Sequence, residues 1–181
     1  VLNDYPVVES IRSVLPVVDE MIVSIGDSED ETERLILSIG DPKIRIIHSV
    51  WDPSLKKGGK ILAVETDKAK EACSADADWL FYIQADEIIP EQYHAQIRDA
   101  ALMYKNHKKV EGLLFNYLHF YGTYDYVGDS RKWYKKEIRI IRNDKTITAF
   151  RDAQGFRKGK TRLNVKQIPA WVYHYGWVKS P

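Results

Sequence analysis

The chain has 181 residues, of which 44% are hydrophobic and 29% are charged, and its formal net charge is +1. This length is enough for one domain with a substantial core, and so small a net charge gives no electrostatic basis for nucleic-acid binding. No apolar run reaches the roughly 20 residues that cross a bilayer, so we expect no transmembrane segment and no signal peptide. The single cysteine, Cys73, excludes an internal disulfide and fits a reducing compartment, so we expect a cytoplasmic protein.

Strands and helices alternate along the first 110 residues. Apolar spacing, capping residues and glycines predict, in chain order, a helix over 6–15, a strand over 20–25, a helix from a Ser28–Glu31 capping box to Gly40, a strand over 44–50, a helix after the loop 56–60, a strand over 79–83 and a helix after Pro90. This alternation favours an α/β fold with a doubly wound, mainly parallel sheet and helices on both faces.

Beyond residue 110 the helical pattern ends. Residues 112–121 and 137–142 are predicted to be strands, and no linker or repeat separates them from the first part of the chain. We therefore predict a single domain over 1–181 whose second half contains a mixed sheet.

The apolar run 79–83 leads almost directly into Asp86 and Glu87. A continuous apolar run is typical of a central strand that is buried on both faces. Carboxylates at its carboxyl end lie where open α/β sheets bind ligands, and their oxygens suit a divalent cation and the phosphates that it bridges. The alternative is that these two residues begin a solvated loop and cap the helix after Pro90.

Two segments together resemble family 2 glycosyltransferases, which use nucleotide sugars and have the Rossmann-like GT-A fold. The strand and turn Val18–Thr32 match that family's strand followed by Ser-x-Asp-x-Thr at the start of a helix. Some fifty residues later, Gln84–Glu87 stands where the family has Asp-Ala-Asp-Glu. The resemblance covers residues 3–91 and implies a nucleoside diphosphate sugar donor, a carbohydrate or other hydroxyl acceptor, and Mg²⁺ or Mn²⁺.

The resemblance also implies that the chain begins after the family's first strand, since Asn3 matches the asparagine that ends it. That strand lies between the strands equivalent to 20–25 and 79–84. We therefore expect these two segments not to pair directly with each other.

The resemblance assigns Asp86 to the metal, and Asp27, Gln84 and Ala85 to the donor substrate. The chain departs from the family at two positions, because Ile25 replaces the acidic residue that reads the base and Gln84 replaces the first aspartate of Asp-x-Asp. A neutral amide binds a divalent cation poorly, so we expect Asp86 to be the strong ligand from this motif.

The loop 56–60 contains three lysines and two glycines at the start of a predicted helix. Free N–H groups and the helix dipole both favour an anion there, so Lys57 and Lys60 are candidates for binding the donor phosphates. The sequence does not match a P-loop. The alternative is an ordinary basic surface loop.

Aromatic residues are concentrated between residues 115 and 134. Aromatic faces pack against sugar C–H groups while polar tips bind hydroxyls, so Tyr124, Asp125 and Trp133 are candidate sugar contacts. Phe115, Tyr117 and His119 alternate at a period of two, so part of this set is expected to be core, although His119 could also bind a sugar hydroxyl. The alternative is that the whole segment is strand core with one aromatic loop.

Two further candidates come from the second half of the chain. Inverting transfer needs a carboxylate that deprotonates the acceptor hydroxyl, and Asp152 has the position that the family suggests. The alternative, which the residues favour, is a loop residue that pairs with Arg151 or a lysine. In similar glycosyltransferases a late histidine completes the metal site, and His174 is the candidate here, although a lone histidine among aromatic residues is usually structural.

The sequence thus predicts an inverting glycosyltransferase with a nucleotide-binding half over 1–110 and an acceptor half over 111–181. The alternative is a degenerate domain of the same fold that binds a nucleotide, a sugar or another protein without transferring sugar.

Overall fold

The computed structural model describes residues 5–27, 30–52, 54–55 and 59–178. The helices are α1 (Val7–Val14), α2 (Thr32–Leu37), α3 (Lys60–Glu71) and α4 (His94–Tyr104). The strands are β1 (Met21–Gly26), β2 (Ile44–Ser49), β3 (Trp79–Phe81), β4 (Glu87–Ile88), β5 (Gly112–Gly122), β6 (Lys136–Arg142), β7 (Ile147–Phe150), β8 (Gly155–Lys158), β9 (Thr161–Arg162) and β10 (Val165–Val178). The α/β class is therefore confirmed. None of the helices within these described ranges has the length and apolar composition needed to span a membrane.

Strands β1 and β2 form a parallel pair with helices on both faces. Their register runs from Met21 opposite Ile44 to Gly26 opposite Ser49. On one face, apolar side chains of both strands pack against α1 and α2. On the other face, Lys68 of α3 donates to the Ser49 hydroxyl at 2.8 Å. This part of the fold has the arrangement that the alternating pattern predicted.

The larger sheet is mixed rather than mainly parallel. Its strand order is β3-β6-β5-β10-β4, and only the β5–β10 neighbours run parallel. The expectation of one mainly parallel sheet through 20–25, 44–50 and 79–84 is therefore not met, because β3 pairs antiparallel with β6 instead of joining β1 and β2. As predicted, 20–25 and 79–84 do not pair with each other. Asn3 lies outside the described residues.

The prediction that the apolar run 79–83 is a central strand was wrong, because β3 is at the edge of its sheet. The run is nevertheless covered on both faces. Trp79 and Phe81 pack against the largest apolar cluster, while Leu80 and Tyr82 pack against a second cluster formed with β7 and β8. Burial by loops and a neighbouring small sheet thus produces the same sequence pattern as a central position.

The sequence did not reveal β10, which lies in the larger sheet between β5 and β4. Its pairing with β5 shifts register twice, between Gln167 and Trp171 and between His174 and Trp177. Pro169 falls in the first shift and Gly176 in the second. Because proline cannot donate to a strand ladder, an irregularity is the way in which a strand inside a sheet accommodates it.

The main core lies between the larger sheet and α4. Ile97 and Ala100 of α4 are buried there, with Tyr93 and Tyr104 packed against the same cluster, as the predicted helical spacing requires. Helix α4 starts at His94, after a short 3₁₀ turn that follows Pro90.

Candidate functional site

Asp86 lies in the turn that joins β3 to β4. The amide of Glu87 donates to the Gln84 carbonyl at 3.0 Å and closes the turn. The Ser10 hydroxyl of α1 donates to that same carbonyl at 2.8 Å, and the amide of Tyr175 on β10 donates to the Asp86 carbonyl at 2.8 Å. Bonds from a helix and from a strand in the sheet interior therefore hold Asp86 in place.

His174 on β10 brings its ring to the Asp86 carboxylate. Its Nε2 lies 3.3 Å from Asp86 Oδ2, and the two side chains are only 9% and 15% exposed. Its Nδ1 lies 3.2 Å from Nδ1 of His119, which stands directly opposite on β5. The Nε2 of His119 in turn lies 3.0 Å from the Tyr134 carbonyl oxygen. Four residues from distant parts of the chain thus form one polar row.

The order of donors along this row follows from its last member. A carbonyl oxygen can only accept, so His119 Nε2 carries the proton and donates it to Tyr134. Burial lowers the pKa of His119 to about 4, with a contribution from His174, so His119 is neutral at pH 7 and its Nδ1 accepts. His174 must then donate from Nδ1, and its Nε2 faces Asp86. A lone pair facing a carboxylate oxygen calls for a cation between them, either a proton or a metal ion.

Asp86 and His174 pack directly against Gly176. A Cβ atom at this position would lie 2.9 Å from Cε1 and Nε2 of His174 and closer still to Asp86 Oδ2. Any larger side chain would therefore displace the carboxylate or the imidazole. Glycine at this position thus lets the two groups approach each other beside the β10 backbone.

A carboxylate and an imidazole are suitable donors for a divalent cation, so the residues fit the implied metal in kind. They are few in number, since the described residues hold no cluster of three or more histidine, cysteine, aspartate or glutamate side chains suited to a metal. Mg²⁺ and its relatives are commonly bound by one or two protein carboxylates together with substrate phosphates. The donor set therefore fits a metal that binds with a diphosphate better than one that binds to the protein alone.

Glu87, next to Asp86, is part of a buried ion pair. Arg139 donates to it from Nε at 2.9 Å and from Nη2 at 2.6 Å, and the Tyr117 hydroxyl also donates to it. The side chains of Arg139 and Glu87 are 1% and 0% exposed. For Glu87, the alternative of a solvated loop was wrong. The pair fixes the turn that carries Asp86, because Glu87 Oε2 also accepts a hydrogen bond from the backbone N–H of Gln84 at 3.3 Å.

A register shift aims Arg139 at Glu87. The β5–β6 pairing shifts between Leu113 and Leu114, which stand opposite Ile140 and Ile138, so Arg139 is the extra residue. A bulge of this kind turns a side chain away from its regular direction. The charges act on each other as expected: Glu87 raises the pKa of Arg139 despite burial, while burial and Glu87 raise the pKa of the Tyr117 hydroxyl.

An aromatic groove opens on the far side of His119. This cavity of about 420 Å³ is lined by Tyr121, Tyr126, Val127, Gly128, Ser130, Lys132 and Trp133. The ring of Trp133 lies 4.8 Å from that of His119 and 5.7 Å from that of Trp177. Tyr121 and Tyr126 are more than half exposed. Trp133 is therefore a shared wall between the polar row and an exposed aromatic surface.

Two further acidic residues, Glu137 and Asp152, lie at the loop between β7 and β8. Glu137 of β6 is half-buried, and its Oε1 accepts from the Gln154 side chain at 3.1 Å. Asp152 is exposed, and its charge acts on Glu137. The Gln154 carbonyl accepts from Arg139 at 3.2 Å, which ties this loop to the Glu87 ion pair.

Gly59, at the end of the predicted phosphate loop, lies next to the predicted base Asp152. A Cβ atom at Gly59 would lie 2.9 Å from Asp152 Cα, so the start of α3 packs directly on the β7–β8 loop. Lys60 is exposed as the first residue of α3. Lys57 lies outside the described residues. Arg151 does not pair with its neighbour Asp152 but stands 5.2 Å over the Phe150 ring.

The remaining predicted substrate residues are more scattered. Asp27 is exposed just after β1. The Gln84 side chain bonds to the Tyr82 hydroxyl, whose pKa burial raises to about 12. Ala85 packs against the apolar cluster of α1, β1 and α2. Tyr124 and Asp125 are exposed; neither lines the aromatic groove, although Tyr124 lies 5.6 Å from the Tyr175 ring.

Sequence reasoning missed Glu137 and Arg139, and it considered His119 only as a sugar contact or a core residue. His119 carried a signal, since it continues the alternation of Phe115 and Tyr117 on β5 and so had to face the core. The two β6 residues carried none, because their partners are distant in sequence and a bulge sets the direction of one.

Comparison of the chain with protein-family models finds no match. Comparison with curated protein sequences finds no similar protein. The case for a function therefore depends on the residues and the geometry described above.

Proposed function

We propose that this protein is a glycosyltransferase that moves a sugar, with inversion, from a nucleoside diphosphate sugar to a hydroxyl acceptor. The observation that carries the proposal is the approach of Asp86 Oδ2 and His174 Nε2 to 3.3 Å. The same family resemblance assigned both residues to one metal site, and they come from the two halves of the chain.

In this proposal Asp86 and His174 would hold Mg²⁺ or Mn²⁺ together with the donor diphosphate. The metal ion, when bound, would offset the negative charge that develops on the leaving diphosphate. His119 keeps a proton on Nδ1 of His174, so that the Nε2 lone pair faces the ion. The Glu87–Arg139 pair holds the turn between β3 and β4 in one conformation, so that Asp86 is already in place before the donor binds.

The acceptor half of the proposal rests on the aromatic groove. Tyr121 and Tyr126 offer exposed rings, and Trp133 lines the same groove, which suits the C–H face of a sugar. The Trp133 ring contacts His119, and His119 in turn contacts His174 of the proposed metal site. A carboxylate near the β7–β8 loop would take the acceptor proton, and the sequence puts forward Asp152 for this role.

A binding module without transfer activity is the second candidate, and Gln84 favours it. The amide replaces the first aspartate of the family motif, and it bonds to Tyr82. Binding of a nucleotide sugar without its turnover would support this candidate over the enzyme.

The test starts with a thermal-shift screen against UDP-sugars and GDP-sugars, with and without Mn²⁺. Ligand binding to the folded state raises apparent stability by about 2.7 kcal/mol at a hundred times Kd. Calorimetry with the best nucleoside diphosphate then compares the wild type, Asp86→Asn, and Asp99→Asn as a matched control on the exposed face of α4.

We expect Mn²⁺-dependent binding by the wild type and the Asp99→Asn control, and at least a tenfold loss in Asp86→Asn. The reason is that one carboxylate supplies most of the protein's negative charge to the ion. If no nucleotide sugar binds with Mn²⁺, or if Asp86→Asn binds as well as the wild type, the proposed function is wrong.

A further inference from the structure

The Glu137 carboxyl group is half-buried and held in a defined position. Gln154 donates to Oε1 at 3.1 Å. Oε2 lies against Gly155, where a Cβ atom would be 3.3 Å away, so glycine at this position lets the carboxylate pack against β8. A carboxylate that is anchored through one oxygen can accept a proton on the other.

The groups around Glu137 come from four parts of the chain. Arg139 lies two residues along β6, Glu87 is on β4, Tyr134 precedes β6, and Asp152 is in the β7–β8 loop. Arg139 favours the ionised form, but it is already committed to Glu87 through two hydrogen bonds. Burial, Glu87 and Asp152 favour the neutral form, and together they raise the pKa of Glu137 to about 7.

The loop that presents Asp152 and Gln154 adopts an uncommon backbone conformation. Arg151 and Ala153 have φ values of 58° and 59°, in the left-handed region that non-glycine residues rarely occupy. Ala153 is fully buried, and the Gln154 carbonyl bonds to Arg139. The surrounding structure therefore imposes this conformation, which places an amide and a carboxylate beside Glu137.

We propose that Glu137, rather than Asp152, is the general base that deprotonates the acceptor hydroxyl. This inference rests on the proposed glycosyltransferase function. Asp152 then acts through Glu137, because its negative charge keeps the Glu137 carboxyl protonated up to a higher pH. Its exposure and its place against the start of α3 fit that indirect role.

The step balances without any further reagent. The acceptor oxygen attacks the anomeric carbon and forms the new C–O bond, and its proton passes to Glu137 Oε2. The bond between the anomeric carbon and the diphosphate oxygen breaks, and its electron pair leaves on the diphosphate. Water can take the place of the acceptor, so slow hydrolysis of the donor reports on the same base.

The experiment measures release of nucleoside diphosphate from the donor found by the thermal-shift screen, from pH 5 to 9. It compares the wild type, Glu137→Gln and Asp152→Asn, and it measures Mn²⁺-dependent nucleotide binding for each. We expect Glu137→Gln to lose about 100-fold or more in kcat while its nucleotide affinity stays within about threefold of the wild type. The wild-type rate should rise with pH and level off above about pH 7.

Asp152→Asn separates the two carboxylates. Because the Asp152 charge raises the pKa of Glu137, its removal should move the inflection of the rate profile to lower pH, and its loss of kcat should be much smaller than that of Glu137→Gln. A loss of the plateau in Asp152→Asn with normal hydrolysis in Glu137→Gln would make Asp152 the base and overturn the inference alone. Absence of Mn²⁺-dependent nucleotide binding by the wild type would overturn the proposed function with it. Nucleotide binding without any hydrolysis would also overturn the inference and favour the binding module.

Discussion

The buried Arg139–Glu87 pair gives the sharpest test of how the site is built. Replacing Arg139 by methionine keeps an unbranched apolar side chain but removes the guanidinium, with its charge and every donor. Glu87, whose side chain is fully buried, would lose its two bonds to the guanidinium and keep only those from Tyr117 and the Gln84 amide. Removing one partner of a buried pair typically costs about 3–5 kcal/mol, because the other charge is left uncompensated. That is a large part of the stability of a domain of this size.

Urea unfolding at pH 7 measures this loss. With a denaturant slope of about 2 kcal/mol per molar urea, a loss of about 4 kcal/mol lowers the midpoint by about 2 M. The matched control is Arg34→Met, because Arg34 pairs with Glu31 on the surface and its side chain is 72% exposed. Its midpoint should stay close to that of the wild type.

A double variant tests the physical cause. In Arg139→Met with Glu87→Leu, no buried charge is left, and well-packed apolar groups often replace a buried ion pair at little cost. We therefore expect the double variant to be at least as stable as Arg139→Met alone. If Arg139→Met lowers the midpoint no more than Arg34→Met does, or if the two core substitutions simply add, Arg139 and Glu87 are not coupled as described.

Three further predictions follow from the site. Gly176→Ala should weaken Mn²⁺-dependent nucleotide binding at least tenfold with a normal circular dichroism spectrum, because its Cβ would displace Asp86; unchanged binding in calorimetry would show that binding does not need Asp86 in this position. The pKa of Glu137 is raised from 4.5 to about 7. Its contribution to stability is therefore fully present below pH 4.5 and is lost as the pH rises to 7. Glu137→Gln should flatten this fall in the free energy of unfolding between pH 4.5 and 7, and an unaltered slope would contradict the raised pKa. Gln84→Asp should tighten Mn²⁺ binding without nucleotide, since it adds a negative charge; if calorimetry shows no gain, residue 84 stays with Tyr82 and does not face the metal.

Local sequence patterns determined most of the secondary structure in the first 110 residues. The helices α1 and α4, the strands β1 and β2 and the start of α3 at Lys60 all lie where apolar spacing and glycines predict them. These signals are local, because a helix or strand that covers a core needs apolar side chains at its own period. For the same reason the sequence predicted that Asp86 follows a buried strand.

Tertiary structure alone decided how the strands are ordered and which residues meet at Asp86. Pro169 and Gly176 interrupt the pattern of β10, and only its register shifts let it lie between β5 and β4. The approach of His119 to His174 and of Arg139 to Glu87 joins residues separated by 55 and 52 positions. Such contacts depend on the order of strands in the sheet and on one bulge in β6, and these are properties of the packed chain that no local window of sequence encodes.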